Sequence, residues 1–221
     1  MTDSQKSTAQ AIVNIFETGR PQGDYARITV IPGDTGHLTY GRAQVSLASG
    51  NLGLLIADYC AATGAVHADA LRPHIDALRQ RDVSLDNNES LRATLTAAGA
   101  DPVMCTIQDQ FFDRAFWNPA ERHAAATGIT TPLGVAIVFD SCIQGGWIAL
   151  SSPLIAQHGQ PPAIAEAAWL CLYVNARREF LKNGHPPLPS TAYRMDAFAE
   201  LIATGKWDLD LPLTIRGVTI S

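Results

Sequence analysis

Long hydrophobic runs are missing from this 221-residue sequence, and none approaches the roughly 20 apolar residues of a membrane-spanning helix. Runs of lysine and arginine are missing too. With a net charge of −5 at pH 7 and a pI near 5.6, the chain is poorly suited to a nucleic-acid surface. A modestly acidic protein does tolerate a cationic or neutral polymer. The four cysteines, Cys60, Cys105, Cys142 and Cys171, lie far apart without zinc-site spacing, and their apolar helical surroundings predict buried thiols. His67, His74, His123, His158 and His185 are scattered, so neither a metal site nor a Ser-His-Asp arrangement can be assembled. Ser141 lacks the Gly-x-Ser-x-Gly elbow and reads as a helix residue. No cofactor or metal is therefore expected. Met1 to Gln10 is polar and carries no apolar signal-peptide core. Action outside the producing cytoplasm, on a target periplasm or cell wall, is expected to depend on lysis, a secretion machine or a fused domain.

What is present is a chain that is 47% hydrophobic, without internal repeats, enough for a full core and most simply a single domain over residues 1–221 in two lobes. Its organising stretch is residues 9–44. Ala9, Ile12, Val13 and Phe16 recur at i, i+3, i+4 and i+7, one face of a helix that Thr18-Gly19 stops. Glu17 thus falls in the last turn, facing the negative end of the helix dipole beside Phe16. Both the dipole and partial desolvation predict a raised pKa there. Tyr25 to Ile31 alternates as a strand should, Pro32-Gly33-Asp34-Thr35-Gly36 reads as a turn, and His37 to Gly41 returns as a second strand. Glu17 and Asp34 lie seventeen positions apart with a strand between them, a layout that can set an acid and a base across a cleft. The plainer alternative is that an aspartate in such a turn only hydrogen-bonds its own loop.

Further helices are expected over about 51–60, 68–80 and 88–98, the last stopped by Gly99. Gly50 leaves room for a close approach before the first of them. Asp101-Pro102 is a strong helix start that turns Val103, Ile107, Phe111 and Ala115 inward, and Asn118-Pro119 is expected to break that helix before a short one to Ala126. Thr131-Pro132 opens the most apolar helix, 133–143, whose single charge is Asp140. A lone buried carboxylate is very costly, so Asp140 needs an arginine partner. Arg177, at the end of a helix starting near Ala163, and Arg194, on a helix over 191–203, are the candidates. They form a packing clamp or a network behind the cleft. The tail 205–213 reads as non-helical, with Trp207, Leu209 and Leu211 on one surface.

Taken in order, these pieces resemble family 46 of the glycoside hydrolases, the bacterial chitosanases. The similarity runs nearly the whole length. It covers Glu17, Gly33-Asp34-Thr35-Gly36 and Thr39-Tyr40-Gly41, then Asp109 to Arg114 and Asn118-Pro119-Ala120. It continues through Asp140, Tyr173 to Arg177, Arg194-Met195-Asp196 and Gly205 to Leu209. The resemblance implies a mainly α (α+β), lysozyme-like two-lobed helical fold with a small β-hairpin or sheet beside the cleft. It implies Glu17 as general acid, Asp34 as the general base that activates water, and Thr39 as a hydroxyl holding that water. It also implies inversion at the anomeric carbon, which needs carboxyls set wider than a retaining pair, and a buried network of Arg177, Asp140 and Arg194. Tyr40, Arg42, His37 and Asn51 are the candidate substrate-binding residues.

Two departures from the family pattern stand out. Gly36 replaces an arginine two residues after the base, and Asn51 replaces the aspartate that would recognise a glucosamine ammonium. An amide can instead hydrogen-bond an acetamido group, although Asn51 could equally just cap its helix. The expectation is an inverting endo-glycosidase of a β-1,4-linked amino-sugar polymer, leaning to peptidoglycan as a lysozyme or muramidase, with chitosan the alternative. A glycan-binding module without chemistry and a metal-dependent hydrolase are the weaker readings. The expected partner is the polysaccharide itself, bound by a monomer.

Overall fold

The computed structural model of the chain describes residues 1–184 and 188–221; His185 lies outside them. The fold is mainly helical and divides into two compact units, a terminal unit of Met1–Gln22 with Phe116–Ser221 and a central unit of Gly23–Ala115. In the terminal unit the first helix, α1 (Asp3–Thr18), opens with a capping box. The Thr2 hydroxyl accepts from the Gln5 N–H, and the Gln5 side chain accepts from the Thr2 N–H. It stops where Gly19 turns to φ +74° and donates to the Ile15 carbonyl at 2.9 Å. The expected face, Ala9, Ile12, Val13 and Phe16, is buried.

The central unit follows in sequence. The single long hairpin expected over 25–41 is instead a three-stranded antiparallel sheet of two-residue strands, β1 (Ile28–Thr29), β2 (Thr39–Tyr40) and β3 (Val45–Ser46). Register pairs Thr29 with Thr39 and Thr39 with Ser46. After it come α2 (Asn51–Ala61), α3 (Ala68–Leu71), α4 (Ile75–Arg79), α5 (Glu89–Ala98) and α6 (Pro102–Phe112). The helix expected over 68–80 is split because Pro73 has no N–H to give, and the chain passes through a 3₁₀ turn over Arg72–His74. Gly53 lets α2 approach the backbone of Leu78 and Arg79 so closely that a Cβ would sit 3.1 Å from it. Leu38, Leu47, Leu52, Ile56, Leu71, Leu78, Leu91, Leu95 and Met104 form the core of this unit. On α6 the buried positions are Met104, Gln108, Phe111 and Phe112. Val103 and Ile107 are only partly buried, and Ala115, expected inside, is exposed.

Asn118-Pro119 does not break the chain path as expected. A π-turn over Asp113–Trp117 widens the backbone and runs directly into α7 (Asn118–Thr127), so Pro119 falls in a first turn where its missing donor costs nothing. The terminal unit then continues with α8 (Pro132–Ile143), α9 (Trp147–His158), α10 (Glu166–Lys182) and α11 (Tyr193–Ala203). Every residue from Pro132 to Ser141 is buried, which makes α8 the central rod of this unit, against which α1, α7, α9 and α11 pack. Helix α9 was not legible in the sequence, because Pro153 stands inside it and its buried positions are few. Helix α10 starts later and ends later than expected, at Glu166 and Lys182. In the tail Leu209 is buried but Leu211 is exposed, so the expected apolar stripe does not form. The chain closes in a hairpin of β4 (Leu213–Ile215) and β5 (Val218–Ile220), whose two-residue loop, Arg216-Gly217, takes positive φ at both positions, as tight hairpins require. Of the four cysteines expected to be buried, Cys60 is, whereas Cys105 and Cys142 are half-buried and Cys171 is exposed. Among the described residues no helix is long and apolar enough to cross a membrane.

Candidate active site

Glu17 sits where the cap of α1 puts it. Tyr193 Oη donates to the Phe16 carbonyl at 2.8 Å, Thr18 Oγ1 donates to the Asn14 carbonyl at 2.8 Å, and the end of the helix is held without fraying. The Glu17 side chain is 46% exposed, so the desolvation expected from Phe16 is only partial. A cation also faces Glu17 at the helix end. Arg194, on α11 and itself 4% exposed, donates through Nη2 to Glu17 Oε1 at 2.5 Å and through Nη1 to Asp140 Oδ1 at 2.7 Å. Burial works against the Arg194 cation, but the carboxylates of Asp140 and Glu17 outweigh it and raise its pKa. Arg194 is therefore a fixed charge joining a fully buried carboxylate to a half-exposed one. Its guanidinium also lies 5.4 Å from the Phe16 ring centre.

The predicted third member of this network is placed differently. Arg177 is buried, yet it donates to the Gly145 carbonyl at 2.9 Å and to Gln144 Oε1 at 3.0 Å, bracing the loop after α8. It reaches Asp140 only through its field. The second Asp140 oxygen, Oδ2, is buried without a hydrogen-bond partner among the described residues. Of the two arginines expected at Asp140, Arg194 bonds it and Arg177 does not.

Asp34 occupies a different kind of setting in the central unit. Ile31-Pro32-Gly33-Asp34 is a tight turn closed by Asp34 N–H to the Ile31 carbonyl at 3.0 Å, with Gly33 at φ +81° supplying the left-handed position. The carboxylate is exposed and accepts the Gly36 N–H at 3.3 Å, as the plainer reading foresaw. A Cβ on Gly36 would lie 3.1 Å from Asp34 Oδ2, so this folded-back carboxylate suits the glycine that stands here.

Thr39 lies on β2, half-buried, and donates to Gln44 Oε1 at 2.8 Å. Thr29, its neighbour across the strands, donates to the same oxygen at 2.8 Å. The Gln44 amide nitrogen donates to the Gly41 carbonyl at 2.8 Å, so the network fixes which end of the amide faces the threonines. With its proton committed to Gln44, the Thr39 hydroxyl has lone pairs left to accept from a water. Gln44 gave no sequence signal, because its role depends on strand pairing.

His37, at φ +57°, is 35% exposed and pairs through Nδ1 with Asp86 Oδ2 at 2.8 Å, while Asp86 Oδ1 accepts the Leu38 N–H at 2.8 Å. It remains accessible, whereas two other candidates do not. Tyr40, expected at the substrate, is fully buried and donates to the Leu95 carbonyl at 2.8 Å, and burial raises its pKa. Arg42 is 7% exposed, ion-paired with Asp109 and laid 4.3 Å over the Phe112 ring, and its backbone N–H donates to Gln108. Both are structural residues. Strand alternation explains Tyr40: if Thr39 is presented outward, its neighbour must point into the core. Asn51 begins α2 but does not cap it. Gly50 is the cap residue, and the Asn51 N–H is instead taken by the Ser49 hydroxyl oxygen at 3.2 Å. Among the described residues no group of three His, Cys, Asp or Glu side chains has metal-holding geometry.

Comparison with known proteins gives the class first and the family next. The native chitosanase of Bacillus subtilis MY002 superposes with a TM-score of 0.79 over 100% of both chains at 21% identity, a likeness that shows the lysozyme-like fold. The Gynuella sunshinyii chitosanase solved with chitotetraose superposes with a TM-score of 0.78 at 26% identity, over 100% of this chain and 98% of that one. A chitosanase of Bacillus subtilis strain 168 is 24% identical over 234 residues, covering 98% of this chain and 83% of its own. The sequence profile of Glycosyl hydrolase family 46 matches residues 11–213, and the chain belongs to that family and is a glycoside hydrolase.

Proposed function

We propose that this hydrolase is a chitosanase, an inverting endo-glycosidase of a β-1,4-linked amino-sugar polymer rich in glucosamine. The observation that carries this reading is the full-length similarity to the Gynuella sunshinyii enzyme, whose structure holds chitotetraose. The relatives named above are called chitosanases, so chitosan is better supported than the peptidoglycan favoured from the sequence.

Glu17 is the general acid in this reading. Arg194 engages Oε1, which leaves Oε2 to carry the proton that passes to the glycosidic oxygen as the bond to the anomeric carbon breaks. Asp34 is the general base: it takes a proton from a water whose oxygen bonds to that carbon from the opposite face, inverting it. Thr39 accepts a hydrogen bond from the water's other O–H, which stays on the oxygen as the new anomeric hydroxyl, an alignment that the bond from Thr39 to Gln44 favours. The products are two shorter chains, one with a new reducing end.

Incubating the protein with chitosan should release new reducing ends whose first-formed anomer is α by NMR. Glu17→Gln should lower turnover by about 10²- to 10⁴-fold, the usual worth of a general acid. Release from peptidoglycan alone, or a Glu17→Gln variant with full turnover, would overturn the reading.

A further inference from the structure

The C-terminal hairpin carries an arginine where a tight turn has no use for one. Arg216 and Gly217 form the two-residue loop between β4 and β5, and both take positive φ, +51° at Arg216 and +79° at Gly217. Asparagine, aspartate or glycine is the ordinary occupant of the first position, because a longer side chain is strained there. The loop gains nothing from an arginine, so the reason for one lies in its side chain. That side chain is exposed, forms no ion pair among the described residues, and sets its guanidinium carbon 3.9 Å from the centre of the Tyr193 ring. Attraction between the cation and the ring face holds the two together. The hairpin itself is anchored independently: Leu213, Ile215 and Ile220 are buried, and β5 packs against α1. Arg216 also lies beyond residues 11–213, the stretch matched to the family profile.

Tyr193 leads from this loop to the end of α1. That helix stops at Thr18, so the carbonyls of its last turn need donors from beyond the helix. Gly19 N–H takes the Ile15 carbonyl at 2.9 Å, and Tyr193 Oη donates to the Phe16 carbonyl at 2.8 Å. The Phe16 and Tyr193 rings meet edge to face with their centres 5.9 Å apart. Arg194, next in sequence to Tyr193, donates to Glu17 Oε1 at 2.5 Å. Two successive residues of α11 thus hold two successive residues of α1, one by its backbone and one by its carboxylate. If Tyr193 swings away, the Phe16 carbonyl loses this donor and the turn that carries Glu17 can fray. The Arg216 guanidinium is placed to keep Tyr193 where it is.

Resting on the reading of Glu17 as the acid of a chitosanase, we propose that Arg216 is a positioning residue for Glu17, acting through the Tyr193 hydroxyl. It governs the geometry of proton donation and not the binding of sugar. Its loss therefore falls on kcat and leaves KM alone.

The test is steady-state release of reducing ends from chitosan by single and double variants. Arg216→Ala should lower kcat about two- to fivefold, the worth of an exposed cation–π contact, with KM unchanged. Arg216→Lys keeps a cation for the ring and should restore most of kcat, whereas Arg216→Gln should behave like Arg216→Ala. Tyr193→Phe keeps the ring and removes the hydroxyl, so adding Arg216→Ala to it should cost no further kcat. Additive losses in the double variant, a raised KM, or Arg216→Ala with the parent's kcat would overturn the proposal. Backbone hydrogen exchange at Gly19 reads the same contact without substrate: it should quicken in Arg216→Ala and return to the parent's rate in Arg216→Lys. An exchange rate unmoved by Arg216→Ala also defeats the proposal. If the parent protein releases no reducing ends from chitosan, the chitosanase reading fails, and the exchange rates still decide whether Arg216 holds the end of α1.

Discussion

Glu17 and Asp34 bring the same functional group into unlike surroundings. In the terminal unit, Glu17 is attached through Arg194 to Asp140, a carboxylate fully buried in the middle of the most apolar helix. In the central unit, Asp34 stands on an exposed turn, and its carboxylate is oriented by the backbone N–H of Gly36. Position is secured by buried electrostatics in the first case and by local chain geometry in the second. A carboxylate held by a turn can be altered without disturbing the core. One held by a buried ion chain cannot lose that chain without destabilising its unit.

The sharpest contrast comes from separating activity and stability. Asp34→Asn should cut chitosan turnover by about 10²- to 10⁴-fold, with a melting temperature indistinguishable from the parent's. A comparable fall in melting temperature would mean that Asp34 is structural and the contrast is false. Arg194→Ala should instead show as a loss of stability, about 3–5 kcal/mol in denaturant titration, because Asp140 is left buried without its hydrogen-bonded cation. A variant as stable as the parent would break the claim that the Asp140–Arg194 pair anchors the terminal unit. The smallest effect is expected from Tyr40→Phe, which removes one of the two hydrogen bonds to the Leu95 carbonyl, the other coming from the Gly99 N–H, and should cost about 1 kcal/mol. Its KM and kcat should not change. A raised KM would return Tyr40 to the substrate and show that its buried hydroxyl does more than brace the strand.

Much of the chain's organisation was readable from local pattern. Helix α1, its stop at Gly19, the cap at Asp101 and the buried α8 each follow from spacing and end residues, which act within a few positions. The need of Asp140 for an arginine was readable as well, since it follows from the cost of an isolated buried charge. The errors cluster where distant segments decide the outcome. Arg42 was taken for a substrate contact, but Asp109 and Phe112, far along the chain, claim it. Arg177 was assigned to Asp140, but the loop at Gln144 and Gly145 is within its reach. Asn51 was weighed as a cap, but the backbone makes Gly50 the cap instead.

By itself the sequence determined which residue types were available and where helices begin and end, together with the ordered set of motifs that marks the family. Those properties depend on near neighbours and backbone preference. Tertiary structure alone decided that Arg194 joins Glu17 to Asp140, that Gln44 sets the Thr39 hydroxyl, and that Tyr193 holds the Phe16 carbonyl. Each of these is a hydrogen bond or close approach between segments that only folding brings within about 3 Å, and no local periodicity encodes such a meeting.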